Sequence, residues 1–524
     1  MKTHASSLAL LLLGLAAAAP VWAAPADSYT WNGATSTYWS TSADWIPATA
    51  PISSVENSLT FVSSATSFTT SNNIANGFLV NQINFQGTGS GTMTVGGLST
   101  NDSVTFQTDG EGDLPTINDS ASGAATLGMA LITTNALAVS NTGAGLLTLS
   151  GAVTNNGGIV FNGGSINLGG TQWTTGTTGT ITLNSGTIYV GGNHQLSGSA
   201  TTGSGGALLL DGGEFASTSA VGGTEFTVAN ATTVDGIVQV GDSSHASVAF
   251  GDSITLDDGS SLTAGSALTL STTLTLATGS NGVTFGALSG QTLTISGQIT
   301  GGNSVIYGGA GTILLTGAPT SSNYTGTTTV NAGTTVELDE SSSAHVGIPG
   351  NLIINGGTVT QVSAGQIAAT SAVMVENGGT FGMSNLTANT TEETIASLTL
   401  GASSSDTAHL TFVLPASGNG TTSPFLKITG SLTVNTSNPI ILNLSGGISG
   451  DSYSLLTWTG TVPLADFEVN PADVGYTLSA ANGLELWVSY SAVPEPSVTG
   501  LIGVGLGLFA FLGWRRARLA AQAA

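Results

Sequence analysis

The chain has 524 residues, with 5 Lys and Arg against 29 Asp and Glu, a formal net charge of −24 and no cysteine. Between the N-terminal segment and Arg515 the single basic residue is Lys427, so that stretch carries −28. This excludes nucleic-acid binding, which needs cations to displace counterions from phosphate. Charged residues are nevertheless only 6% and mean hydropathy is +0.30, which excludes a charge-extended disordered chain.

In chain order, Lys2 and His4 precede an apolar run from Leu8 to Ala19 and then Val21-Trp22-Ala23. That is the pattern of a secretory signal peptide over 1–23, cut after Ala23. An exported chain without disulfides must rest on packing and hydrogen bonding alone. Residues 24–60 hold Trp31-Asn32-Gly33, Tyr38-Trp39-Ser40 and Asp44-Trp45. These aromatics suit a cap over the first turn of a stacked fold; surface stacking against carbohydrate is the functional alternative.

From 61 to 394 short alternating runs recur, each closed by Gly, Asn or Asp, as in Leu146-Leu147-Thr148-Leu149-Ser150-Gly151 and Leu293-Thr294-Ile295-Ser296-Gly297. Period-two alternation of aliphatics with Thr and Ser predicts strands, and no sustained helical stripe competes. One unit repeats: Ile159-Val160-Phe161-Asn162-Gly163-Gly164-Ser165-Ile166 has partners at Leu208–Phe215, Leu352–Val359 and Val373–Phe381. Asn162, Asn184 and Asp211, then Asn331, Asn355 and Asn377, lie 22 to 27 residues apart. Asn-Gly can close a hairpin or turn a corner between two faces of one coil. The spacing favours an all-β, right-handed parallel β-helix, in which each coil buries its apolar face only against its neighbours. At about 4.8 Å per coil, some fifteen coils would extend roughly 70 Å. Loop-joined β-sandwiches are the competing architecture.

Within 303–336, Tyr307-Gly308-Gly309-Ala310-Gly311-Thr312-Ile313-Leu314-Leu315-Thr316-Gly317 is followed by Asn323-Tyr324-Thr325-Gly326 and Thr328-Thr329-Val330-Asn331-Ala332-Gly333-Thr334. This segment resembles the autotransporter-associated β-strand repeat, with Tyr307 where that pattern usually carries Lys. The resemblance implies a β-helical passenger-like fold. A self-translocating autotransporter is disfavoured, since nothing after Ile395 supplies the long alternating strands of a membrane barrel.

After Ile395 the Asn-Gly-Gly corners stop, and 395–491 reads as a separate β-unit, cap-like or sandwich-like, that covers the last coil. At 492–518 come Val493-Pro494-Glu495-Pro496, an uncharged run from Val498 to Trp514, and the basic stop Arg515, Arg516 and Arg518. Seventeen helical residues span about 25 Å, the short end of a transmembrane helix. The arginines stay cytoplasmic, with 519–524 as a tail. Motif, apolar helix and arginine cluster in this order are similar to the PEP-CTERM sorting signal of Gram-negative bacteria. That resemblance implies anchoring in the inner membrane, processing by an exosortase, and delivery to the cell surface or its extracellular matrix and polysaccharide.

Candidate chemistry is sparse. His194, His245, His345 and His409 stand apart from one another and from any nucleophile or metal motif. Asp257-Asp258 is a carboxylate pair that a β-helix carbohydrate-active enzyme could use as acid and base, but the cations such enzymes use on polyuronates are missing and an acidic corner is the better explanation. The expectation is therefore no enzymatic activity. Asp109-Gly110-Glu111-Gly112-Asp113 sets carboxylates at alternate positions of a glycine-rich loop, a weak Ca²⁺ candidate that lacks the downstream bidentate Glu of a dedicated loop.

Overall fold

The computed structural model describes residues 27–33, 35–98, 102–169, 173–175, 179–191, 206–221, 226–340, 345–384, 392–415, 424–460, 462–491 and 515. Ala23, Val493, Pro494, Glu495, Pro496, the apolar run from Val498 to Trp514, Arg516 and Arg518 lie outside these residues; Arg515 is exposed. Among the described residues no helix is long and apolar enough to cross a membrane. Regular structure there is strand, apart from single 3-10 turns at Ser42–Asp44 and Leu464–Asp466. The alternation of aliphatics with Thr and Ser has become strands, as the pattern dictates.

The chain forms a parallel β-solenoid of about fifteen turns, divided between two compact units. The first comprises Met1–Thr218 and Phe226–Ala231, the second Ser219–Glu225 and Thr232–Ala524. In the first unit, strands stack in three parallel columns. One runs through Asp27–Trp31, Asn57–Val62, Gln82–Gln86, Thr116–Asp119, Leu137–Asn141, Ile159–Leu168, Ile181–Val190 and Leu208–Ser217. In-register pairing places Leu59, Ile83, Ile117, Val139, Phe161, Leu183 and Leu210 directly above one another, all fully buried. A second interior row is Met93, Ala125, Leu147, Ile166, Ile188 and Phe215. Each row buries apolar surface at about 25 cal/mol per Å². Because the period is two, sliding one strand by a residue would expose its whole row.

The second unit repeats the design. Its interior rows include Leu262, Phe285, Tyr307, Val330, Ile354, Val375 and Leu400 on one face. On another they include Leu293, Ile313, Val336, Val359, Phe381, Leu410 and Leu442. All of these are buried. The segment like the autotransporter repeat contributes strands Val305–Gly309, Thr312–Thr316 and Thr328–Asn331 to these columns. Tyr307 points inward against Phe285, ring centroids 6.3 Å apart, so the position where Lys would be expected is an apolar one here.

The Asn-Gly-Gly signature turns corners and does not close hairpins. Strand Ile159–Leu168 pairs through its first half with Leu137–Asn141 and through its second with Leu147–Leu149. Between the halves, Gly163 and Gly164 take φ of 145° and 72°. At Gly164 a Cβ would stand 1.9 Å from the Asn141 carbonyl oxygen, so only glycine fits. The neighbouring asparagines stack: Asn184 donates its amide to Asn162 (2.9 Å), and Asn377 donates to Asn355 (2.7 Å).

Parallel pairing does not stop where the composition changes at Ile395. It continues through Ser397–Leu400, Ala408–Leu414, Leu426–Val434, Ile440–Gly446 and Phe467–Val469. The first antiparallel ladders of the second unit among named strands join Ser452–Thr459 to Glu485–Tyr490 and Tyr476–Ala481 to Glu485–Tyr490. The aliphatic alternation of these late coils carries the same inward register without the Asn-Gly-Gly motif, although glycines still turn some of their corners, as at Gly401 and Gly446 with φ of 83° and 78°.

The N-terminal aromatics are interior. Trp39 and Trp45 are fully buried, and Trp31 is 4% exposed. Trp39 meets Phe78 edge-on at 5.3 Å, and Trp45 meets Trp31 edge-on at 5.0 Å. Trp45 Nε1 donates to the Trp39 carbonyl (2.8 Å). Asp44, also buried, accepts from the Thr35 backbone (2.5 Å) and hydroxyl (2.9 Å). The cluster therefore closes over the first turn, and these three rings are not available to stack on carbohydrate.

Candidate functional site

The acidic loop after Gln107 is folded by its own first carboxylate. Asp113 N–H donates to Asp109 Oδ1 (2.7 Å), and the Asp109 carbonyl accepts from Gly112 N–H (3.3 Å). Gly112 provides the left-handed φ of 91° that the reversal needs. Stacking then brings in a residue that spacing could not reveal: Glu56, just before strand Asn57–Val62, accepts from Gly110 N–H (2.9 Å) through Oε1. Glu56, Asp109 and Glu111 can present carboxylate oxygens within 4.8 Å of one another.

Asp113 is not one of this trio. Its carbonyl, not its carboxylate, is engaged, accepting from the Asn81 amide (3.0 Å). Glu56 Oε2 is enclosed and has no hydrogen-bond partner. Three hard oxygen donors on one loop and one strand end fit the partial shell of a divalent cation such as Ca²⁺, which takes six to eight oxygens. The group therefore keeps Asp109 and Glu111 from the sequence expectation and replaces Asp113 with Glu56.

The Asp257-Asp258 pair has a different fate. Asp258 accepts from Asn303 Nδ2 (2.8 Å), Asn281 N–H (2.9 Å), Asn281 Nδ2 (2.8 Å) and Gly282 N–H (3.3 Å). The Asn303 amide, with these backbone donors, holds its carboxyl below the usual range. A carboxylate so tied across successive coils is a corner fastener, and it holds no proton to give near neutrality. Among the histidines, His245 Nδ1 lies 2.9 Å from Asp242 Oδ2, and burial lowers the pKa of His409. His194 lies outside the described residues. Lys427 pairs on the surface with Glu392 (2.9 Å).

Sequence reasoning missed the buried carboxylates. Burial pushes Asp119 up to about 6 and Glu393 up to about 7, and it also raises Glu340. Each falls at an inward position of the two-residue alternation, and that position is the signal that could have found them. Comparison with protein-family profiles, with curated proteins and with solved structures finds no match.

Proposed function

We propose that this chain is an exported, non-enzymatic surface or matrix protein of a Gram-negative bacterium. In this reading it is an acidic, right-handed β-helix carried to the cell surface by a PEP-CTERM-type signal, with a role in adhesion or exopolysaccharide association. The observation that carries the reading is the order of signals in the sequence. An N-terminal export signal ending at Ala23 is matched by Val493-Pro494-Glu495-Pro496, the apolar run and Arg515, Arg516 and Arg518 at the other end. Exosortase-type processing and a polysaccharide partner follow from that resemblance.

The fold supports the reading physically. A solenoid offers long, repetitive faces of short polar side chains, such as the in-register row Thr69, Thr94, Thr126 and Thr148. Such faces suit extended contact better than a single catalytic centre. The alternative, a β-helix polysaccharide hydrolase or lyase, would use Asp257 and Asp258 as its acid and base. The engagement of Asp258 by four donors weighs against it.

The test is intact-mass measurement of the protein from its own cells, separated into membrane, surface and medium fractions. Loss of the residues after about Pro496 from the surface fraction is the expected result. A full-length chain confined to the membrane would overturn the sorting reading. Turnover of a glycan that disappears in D258N would overturn the non-enzymatic one.

A further inference from the structure

A stack of buried side-chain acceptors stitches successive turns of the second unit together. Ala318 N–H donates to Glu340 Oε2 (2.8 Å), and Glu340 N–H donates to Gln366 Oε1 (3.0 Å). The Gln366 carbonyl accepts from Gly347 N–H (2.9 Å) and Ile348 N–H (3.0 Å). Finally Gly365 N–H and Ile367 N–H donate to the two oxygens of Glu393, at 2.5 and 3.3 Å. Glu340 is 3% exposed, and Gln366 and Glu393 are fully enclosed. The turn between strands Thr358–Gln361 and Ala372–Glu376 is thus tied on one side to the preceding coil through Gln366 and on the other to the Glu393 carboxyl group.

Among the described residues no cation answers that carboxyl. Strand Glu393–Ile395 pairs with Leu426–Ile428, whose Lys427 reaches Glu392 on the outside. From the strand Thr358–Gln361, the fully buried Gln361 amide lies beside Glu393 and, with the backbone donors, opposes the effect of burial on its carboxyl. Further along the stack, Glu340 is flanked by His345 and Asp339. Gln361 can accept a hydrogen bond from the acid through Oε1 or donate one to the anion through Nε2, but it cannot neutralise a charge. An isolated ion in such a place is costly.

We propose that this stack is a pH-responsive latch, closed while Glu393 keeps its proton and loosened in the turn 362–371 when Glu393 ionises. Burial is the dominant cause of its shift, from an ordinary 4.5 to about 7, against the opposing backbone donors at Gly365 and Ile367. A raised carboxyl favours folding fully below its unfolded value. That contribution is lost as pH climbs through the folded one, so the window here runs from 4.5 to about 7. The gap amounts to about 300-fold in the folding equilibrium at most.

The experiment compares the full-length chain with E393Q across that window, both in a D119N background, because Asp119 titrates near 6. Equilibrium unfolding gives the stability, and hydrogen exchange of the 362–371 peptide, corrected for its intrinsic pH dependence, gives the local opening. The expected result is stability that falls with rising pH in the parent and much less in E393Q, with exchange in 362–371 rising only in the parent. Parallel pH profiles in the two proteins would overturn the latch. If E393Q does not fold, infrared spectroscopy of a D119N/E340Q chain decides, because burial raises Glu340 as well. A protonated carboxyl stretch that persists to about pH 6 and vanishes by about pH 8 supports the proposal, and its absence at about pH 6 overturns it.

Discussion

Replacing Trp39 with alanine tests whether the aromatic cluster closes the first turn. Trp39 is fully buried and touches Trp45, Phe61 and Phe78, with centroids at 5.9, 6.0 and 5.3 Å. A tryptophan buries about 200 Å², worth about 5 kcal/mol at about 25 cal/mol per Å²; large-to-small changes of this kind cost about 3–5 kcal/mol. The backbone bonds survive, since Trp39 N–H donates to the Ser71 carbonyl and its own carbonyl accepts from Trp45 Nε1. The indole Nε1 has no partner, so W39F removes an unsatisfied donor and keeps most of the contact. It is expected to cost about 1 kcal/mol.

Because a solenoid passes stability only between neighbours, the damage in W39A should be local. Hydrogen exchange read strand by strand should accelerate in Asp27–Trp31 and Asn57–Val62 and stay unchanged in Ile159–Leu168 and Ile181–Val190. Exchange that rises equally in all four, or W39A as stable as the parent, would refute the capping argument.

Two further substitutions separate backbone strain from crowding. G164A places a Cβ 1.9 Å from the Asn141 carbonyl at φ 72° and should cost more than about 3 kcal/mol. G112A, at φ 91° in open space, should cost only about 1 kcal/mol; equal losses in denaturant melts would show that the corner is not close-packed. At the acidic loop, millimolar Ca²⁺ should raise the melting temperature of the parent, and E56Q should abolish that rise. A rise that survives E56Q but is lost in D113N would restore the loop-only arrangement.

The solenoid was legible because its core is written in two registers at once. Alternation within a strand chose the inward residues, and recurrence every 22 to 27 residues chose what sits above them, as Phe161, Leu183 and Leu210 show. The corner reading of Asn162-Gly163-Gly164 followed from the same spacing. Less was legible where a contact depends on how far a connection folds back. Nothing in the sequence near Asp109 points to Glu56, which brings its carboxylate to the loop from fifty-three positions earlier. Nor does composition after Ile395 show that the parallel columns continue, because aliphatic alternation is the same for a sandwich and a coil. That Asp258 sits at an acidic corner was legible, but its donors, 23 to 45 positions further along the chain, were not.

The scarcity of cations has a consequence inside the fold as well as outside it. Most proteins neutralise an enclosed carboxylate with arginine or lysine, which lowers its pKa and makes acid the destabilising direction. Here Lys427 is committed on the surface to Glu392. Enclosed carboxyls are left with backbone N–H groups and amides: Ala121 N–H for Asp119, Ala318 N–H for Glu340, and Gly365 and Ile367 N–H for Glu393. Those dipoles only partly offset burial, so all three groups sit above their ordinary values. The sign of linkage therefore reverses for these sites, and mild acid stabilises them where it would weaken an ordinary salt-bridged core. The same mild acid also protonates part of the surface and reduces the repulsion among its carboxylates. At these three sites interior and exterior thus respond to pH in the same direction; buried Asp406 does not, since burial raises its carboxyl but backbone donors at Ala402, Thr407 and Asn377 hold it below its ordinary value.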